Sequence, residues 1–534
     1  MHSFYWSTFI LMEQVFAVSI KSPINIYRYE RVKMKLKGFL LNEKRLLIVL
    51  ILLFGVSLNV DGHGGEDHSG SAVVPGLPDC QILTATRLFD GVNFPQDNKA
   101  VLIEGNMIKQ VGTLAELSSQ CANQLDLGDS TILPGFIERH GHITFQSVNK
   151  SIVLKNGITT VQDVGGPLKA TEGGEGTLRL LSAGPIIQAV NGYPLNIFGG
   201  DSGLDKIGIT VSSVTEAESV VQELVTGGAS AIVISLEPGG EPGRHWMTHG
   251  NPIPDTPWPI LSAEITQTIV TKAHALGKRV MAFVGEETGL TRALDANVDE
   301  LVHIPCAEIS DELLQRVADN GVTVVTTLDT HSTCEHIFAN AVGLGMKGAQ
   351  VVYGSEIAHD DVPWGINGQE LHTMLQALSG ESIDFTDVVN ILKAATSKSA
   401  EDLGIPGLGT LTADAPADLI AVRGNPFEKF KILEYPDLVL SGGRAVVNNY
   451  INHYSEEKIN CFFNWAEEQY SGFLAPAGTT TETFGIYSYR YYPNTKAYLG
   501  VSSADHHLYY MNEEDGLLHD QGLLVNWLPV SKCN

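Results

Sequence analysis

Apolar and polar positions change rhythm three times along this chain. Between residues 80 and 137 they form brief extended runs at 82–86, 100–104, 107–111 and 131–133, with Gly105 and Asn106 as a hairpin turn between the middle pair. From 138 to 403 extended runs alternate with stretches of helical period. The runs fall at 159–163, 185–189, 231–235, 279–284, 301–304, 322–327 and 350–354, and 132–137 leads them to make eight. Ser262 and Ser310 stand where helices should begin, each followed by an acidic residue within two positions. Eight strand–helix units predict an α/β fold, a (β/α)8 TIM-like barrel with its functional groups at the C-terminal strand ends. Residues 404–450 return to short strands and complete, with 80–137, a small discontinuous β-sandwich domain split around the barrel (138–403). Residues 458–534 are rich in tyrosine, with strand patterns at 486–492, 497–501 and 507–511, and predict a C-terminal β-rich extension.

Ahead of these, Lys44 and Arg45 precede an apolar run over 46–58. That run is shorter than the roughly 20 residues of a membrane span. It predicts residues 1–62 as an N-terminal leader with a signal peptide, with Met34 as a more ordinary start, and 63–79 as a linker. An uncleaved anchor is the other reading. The expectation is an exported chain, periplasmic or extracellular, with no integral span once mature. Six cysteines suit that compartment. Cys80 with Cys121 and Cys461 with Cys533 each fall within one segment. Cys306 pairs with Cys334 if adjacent strand ends carry them, and otherwise both are buried thiols. The net charge of -27 argues against nucleic acid and against an anionic membrane surface, leaving a small-molecule substrate as the expected partner.

Candidate chemistry begins at Pro134–His142. His140 and His142 are two apart at the end of an apolar strand, so both side chains point to one side. Two imidazoles so placed can hold one metal ion.

Several further stretches, taken in order, carry a family resemblance: Gly157–Asp163, Gly228 with Ala229, Ala273 with His274 and Gly277, Val298–His303, Tyr353 with Gly354, Lys393–Thr396, Gly409 with Thr410, Ala417–Leu419 and Gly442–Arg444. On these, residues 80–450 resemble the amidohydrolase superfamily, in particular an exported branch similar to imidazolonepropionases and prolidases. The resemblance implies one or two divalent ions, commonly zinc, at the barrel mouth, and hydrolysis of an amide or cyclic amide C–N bond. It implies ligands from a His-x-His pair, often a carboxylated lysine on strand 4, histidines on strands 5 and 6, and a strand-8 aspartate that also shuttles the proton.

Carried over residue by residue, His140, His142, His303 and Glu356 match ligand positions, Glu356 in place of aspartate and as the catalytic proton shuttle. Glu138 stands at the family's usual acid two residues before the first histidine. Val233 and Phe283 stand at the lysine and strand-5 histidine positions and supply no donor, so the ligand set is degenerate. A mononuclear centre follows, probed for further donors at Glu237, Glu286, Glu287, His331, His336 and His359, whose ordinary state on loops is solvent-facing. The alternative is a catalytically inactive amidohydrolase-fold protein serving as a ligand-binding or envelope interaction module.

Overall fold

The expected leading run 132–137 is two strands rather than one. Ser130–Pro134 pairs antiparallel with Leu419–Arg423. Phe136–Gly141 pairs parallel with Ile158–Asp163 in a different sheet. The break falls at Pro134 and Gly135. Proline has no N–H for the ladder, and a Cβ on Gly135 would lie 2.2 Å from Thr159 Oγ1, so the chain switches sheets there against Thr159 only as glycine.

The computed structural model describes residues 80–239, 257–359, 362–380, 382–450, 454–474, 480–484, 486–503, 506–514, 516–527 and 533. The leader and linker expected over 1–79 lie outside the described residues. Among the described residues no helix is long and apolar enough to cross a membrane.

Ser130–Pro134 belongs to a six-stranded sheet with Arg444–Asn448, Leu438–Ser441, Leu419–Arg423, Arg87–Leu88 and Gln96–Asp97. A four-stranded sheet of Met107–Gly112, Ala100–Glu104, Cys80–Thr84 and Gln124–Asp126 faces it. Leu83, Val101 and Ile103 from one sheet and Leu88, Ile132, Leu419 and Leu440 from the other fill one core.

The middle of the chain forms parallel sheets. Phe136–Gly141, Ile158–Asp163 and Thr177–Ser182 run parallel, with Glu172–Gly174 as an antiparallel edge. Seven further strands are ordered Gly208–Thr210, Ile186–Gln188, Ile232–Ser235, Val280–Phe283, Glu300–Leu301, Thr323–Val325 and Val351–Val352, all parallel. Most are apolar and buried throughout, as strands covered on both faces must be. Helices alternate with them, among them Val214–Thr226, Ala263–Ala275, Glu287–Ala296 and Asp311–Asp319. Ser262 begins its helix as expected, its Oγ accepting from Ile265 N at 3.2 Å. Ser310 also occupies an N-cap, without a side-chain cap bond.

Beyond residue 455 the chain is not β alone. Glu456–Gln469 is a helix, with Ser455 Oγ accepting from Lys458 N. Its Ile459, Phe462, Phe463 and Ala466, at helical spacing, pack on Tyr492, Leu499, Val501 and Leu508 of a five-stranded antiparallel sheet. Tyrosine density marks that sheet and hides the helical period before it. All six cysteines are bridged, as Cys80–Cys121, Cys306–Cys334 and Cys461–Cys533, so the buried-thiol reading of the middle pair is overturned.

Candidate metal centre

Two segments meet at the C-terminal ends of the parallel strands. One is the end of Phe136–Gly141 with His142, and the other is Tyr353–Ile357, after Val351–Val352. His142 N donates to Ile357 O at 2.9 Å, and Ile357 N donates to His140 O at 3.1 Å. Glu138, wholly buried, accepts from His140 N at 2.8 Å, from Ser355 N at 2.9 Å and from Ser355 Oγ at 2.7 Å. The close approach requires Gly354, whose added Cβ would lie 2.2 Å from Val325 Cγ1 and 3.1 Å from Glu138 Oε1. Glu356 itself has φ of 59°, an uncommon left-handed conformation for a side-chain-bearing residue. These bonds together hold that conformation.

The donor atoms converge. Nδ1 of His140 lies 2.5 Å from Val302 O. A carbonyl only accepts, so Nδ1 carries the proton. Burial pushes the His140 imidazole down to about 3, so the ring is neutral. Its Nε2 therefore presents a lone pair, aimed at Nε2 of His142 3.2 Å away. Oε1 of Glu356 lies 3.8 Å from His142 Nε2. Among the described residues, His140, His142 and Glu356 are the group of three whose ligand atoms all lie within 4.8 Å of one another. A neutral, oriented imidazole with its other nitrogen bonded to a carbonyl is what a divalent ion requires of a histidine ligand. The donor set of two imidazoles and a carboxylate fits such an ion.

His303 lies outside that group. It is buried, burial lowers its imidazole to about 4, and Nε2 has no hydrogen-bond partner among the described residues. The run 301–304 was expected to be strand throughout, but only Glu300–Leu301 is laddered. Val302 O is taken by the His140 ring instead. Val233 is buried within Ile232–Ser235, and Phe283 ends Val280–Phe283. The Phe283 ring stands edge-on to His140 at 5.6 Å and to His303 at 5.8 Å, packed against both imidazoles, which are themselves stacked 6.4 Å apart.

Of the loop residues, His331 departs most from expectation. It is 3% exposed, and its Nε2 lies 2.9 Å from Glu356 Oε2. Burial alone would raise the Glu356 carboxyl, but the His331 imidazole beside it holds it well below the usual carboxylate range. No sequence period marks His331, since it sits in an irregular turn. Glu237 is buried and caps its own turn, Oε1 accepting from Gly239 N at 2.9 Å. Glu287 accepts from Ser310 N at 2.7 Å, away from the centre. Neither these nor Glu286 and His336 join the converging group.

A cavity of about 210 Å³ opens onto the centre, lined by His142, Glu356 and His359 together with Phe145, Ile186, Tyr193, Phe198 and Ile207. Tyr193 is stacked on Trp258, their rings 6.1 Å apart and 9° from parallel. At the opposite, N-terminal strand ends, Glu300 is paired with both Arg139 and Arg279, all but Arg279 fully buried.

No protein-family model matches this chain, and no curated protein matches it. Solved structures do share its fold. A Xaa-Pro dipeptidase with bound methionine in its active site is similar over 68% of this chain and 99% of its own, at 22% identity and a TM-score of 0.55. The ochratoxinase of A. niger is similar over 70% of this chain and 96% of its own, at 18% identity and a TM-score of 0.55. An amidohydrolase is similar over 69% of this chain and 99% of its own, at 21% identity and a TM-score of 0.55. At such identities the likeness is one of fold.

Proposed function

We propose that this chain is an amidohydrolase-like hydrolase of C–N bonds in small amides or cyclic amides, working with one divalent ion at the mouth of a (β/α)8 barrel. The observation that carries the reading is the convergence of His140 Nε2, His142 Nε2 and a Glu356 oxygen within 4.8 Å, beside a cavity. The bridge between Gly141 and Ile357 supports closure of the parallel strands into a barrel, because it joins the first strand's end to the segment after the last. The names of the structural neighbours, a dipeptidase and an amidohydrolase among them, point to the same bond class.

His140, His142 and Glu356 would hold the ion, with zinc the ion expected. Bound there, it supplies Lewis acidity, lowering the pKa of a water and polarising a carbonyl. The protein's own groups do the rest. Val302 O fixes the His140 tautomer. Glu356, ionised well below neutral pH, accepts a proton from the attacking water and returns it to the departing nitrogen. Phe145, Ile186, Phe198 and Ile207 shield the reacting groups from bulk water. His303, expected from the sequence as a fourth donor, enters as a neutral imidazole beside the three. The three disulfides fit an exported chain.

Val233 and Phe283 favour a second reading, in which the pocket binds a ligand without turnover. Metal analysis of the purified, untagged protein, combined with hydrolysis of a panel of N-acyl amino acids and cyclic amides, separates the two. The proposal expects a single divalent ion per chain, turnover lost to a chelator and restored by zinc, and both lost in His140→Ala. A chain that stays metal-free in zinc, or that carries zinc and hydrolyses nothing on the panel, overturns it.

A further inference from the structure

The two oxygens of Glu356 have different neighbours. Oε1 faces His142 at 3.8 Å, and Oε2 faces His331 at 2.9 Å. We propose that His331 is the positioning residue of Glu356, and that the Cys306–Cys334 disulfide keeps His331 in register with it. The proposal rests on the metal-centre reading above and adds to it a residue outside the ligand group.

Glutamate has one more rotatable bond than aspartate, so its carboxylate does not stay at a ligand position without a partner. His331 is that partner. Both side chains are 4% exposed, so water screens the contact little. His331 is not itself a ligand, because it does not belong to the group of atoms within 4.8 Å. Its ring instead lies beside His303, with centroids 5.4 Å apart.

The turn carrying His331 is built against the Glu356 segment. Thr327 N donates to Gly354 O at 2.9 Å, and His331 N donates back to Thr327 O at 3.1 Å. Thr330 Oγ1 donates to Ser355 O at 2.7 Å, so neighbouring residues hold Ser355 and Glu356 in turn. From the other side, Cys334 N donates to His331 O at 2.9 Å. Cys334 is bridged to Cys306, three residues after His303. Asn340 Nδ2 donates to Pro305 O at 2.8 Å and to Ala307 O at 2.7 Å, fixing the residues that flank Cys306. The bridge therefore ties the loop that carries His331, three residues before Cys334, to the segment just after His303.

Cobalt(II) reports this arrangement through both its affinity and its visible absorption. The test compares full-length wild type, His331→Leu, His331→Gln and a Cys306→Ala/Cys334→Ala double variant, each with its unfolding temperature recorded. His331→Leu is expected to weaken cobalt about ten- to a hundred-fold and shift the absorption, still at one site, whereas His331→Gln, whose amide N–H reaches as far as Nε2, returns affinity to within about three-fold. The double variant is expected to follow His331→Leu. If His331→Leu does not fold, His331→Asn, whose amide falls short of Oε2, replaces it. Wild-type affinity and absorption in the folded Leu or Asn variant overturn the proposal and leave the metal centre standing. Complete loss of cobalt in both Leu and Gln variants makes His331 a ligand and overturns it too. A wild type that takes up no cobalt removes the metal centre and this proposal together.

Discussion

Glu138 accepts from His140 N, Ser355 N and Ser355 Oγ, and so joins the strand that carries two histidines to the turn that carries Glu356. Burial pushes its carboxyl up to about 8, against those hydrogen bonds, which favour the charged form. The residue is thus held in place at a cost, and its worth lies in geometry rather than in charge. Removing it leaves three donors without an acceptor, each about 1–3 kcal/mol when buried. Glu138→Ala is therefore expected to lower unfolding free energy by several kcal/mol and to weaken metal binding. Glu138→Gln keeps an acceptor oxygen and the length, and is expected to lose much less of either. Urea denaturation followed by circular dichroism, with zinc uptake measured in parallel, checks both. Equal losses in the two variants would show that charge, not geometry, is what Glu138 provides.

At the level of elements, the sequence made the site's first half legible and concealed the second. His140 and His142 stand at strand spacing behind an apolar run, so their place at a strand end could be read directly, although the break at Pro134 and Gly135 divides a run that reads as a single strand. His303 was readable as a candidate ligand at a strand end, but not the use of Val302 O by the His140 ring, from a strand far away in sequence. His331 was legible only as a loop residue, because its burial comes from the turn built by Thr327, Thr330 and Cys334. Phe283 read as a lost ligand, and its ring packs edge-on against both His140 and His303. Helix Gly368–Leu378 also carries a charge that its pattern did not reveal. Glu370, in its first turn, is buried and accepts from Leu328 N at 3.0 Å and Asp329 N at 2.7 Å. Burial raises its carboxyl from 4.5 to about 7. Burial likewise raises Asp163 to about 6 and Glu138 to about 8. In each case the folded chain binds its proton more tightly than the unfolded chain does, so stability falls as pH rises from the ordinary carboxyl value through the folded one. The metal-free protein is expected to be more stable at pH 5 than at pH 8 by a few kcal/mol, at about 1.4 kcal/mol per unit. Glu370→Gln should flatten the part of that decline below pH 7. A denaturation midpoint that rises across this range would contradict the assignment.

For the whole molecule, the question is whether the tyrosine-rich tail is a separate contacting module or part of the body. Its helix and sheet have their own core, and Cys461–Cys533 closes that unit. It is nonetheless continuous with the core between the six-stranded and four-stranded sheets. Leu523 lies in the same core as Leu419, Leu440 and Ala445. Asn526, itself buried, completes the edge of the six-stranded sheet: its Oδ1 accepts from Ala445 N at 2.9 Å and its Nδ2 donates to Ala445 O at 2.7 Å. One amide side chain thereby supplies both of the ladder bonds that a neighbouring strand would make at that position, and protects an exposed edge. Asn526→Ala leaves a buried N–H and a buried C=O at Ala445 unpaired, at about 1–3 kcal/mol each. If the tail is part of the body, the variant should lower the main unfolding transition itself, as a single cooperative event. If the tail is an independent module, the variant should release it as an early transition, with faster proteolysis beyond residue 454, while the main transition stays where it was. Calorimetry alongside limited trypsin digestion reads the difference. The shared core at Leu523 argues for the first outcome, because that side chain cannot leave without opening the core that also holds Ile132, whose Ser130–Pro134 strand leads directly into the strand carrying His140. A loosened tail should then also weaken metal binding, a coupling that an independent module would not transmit.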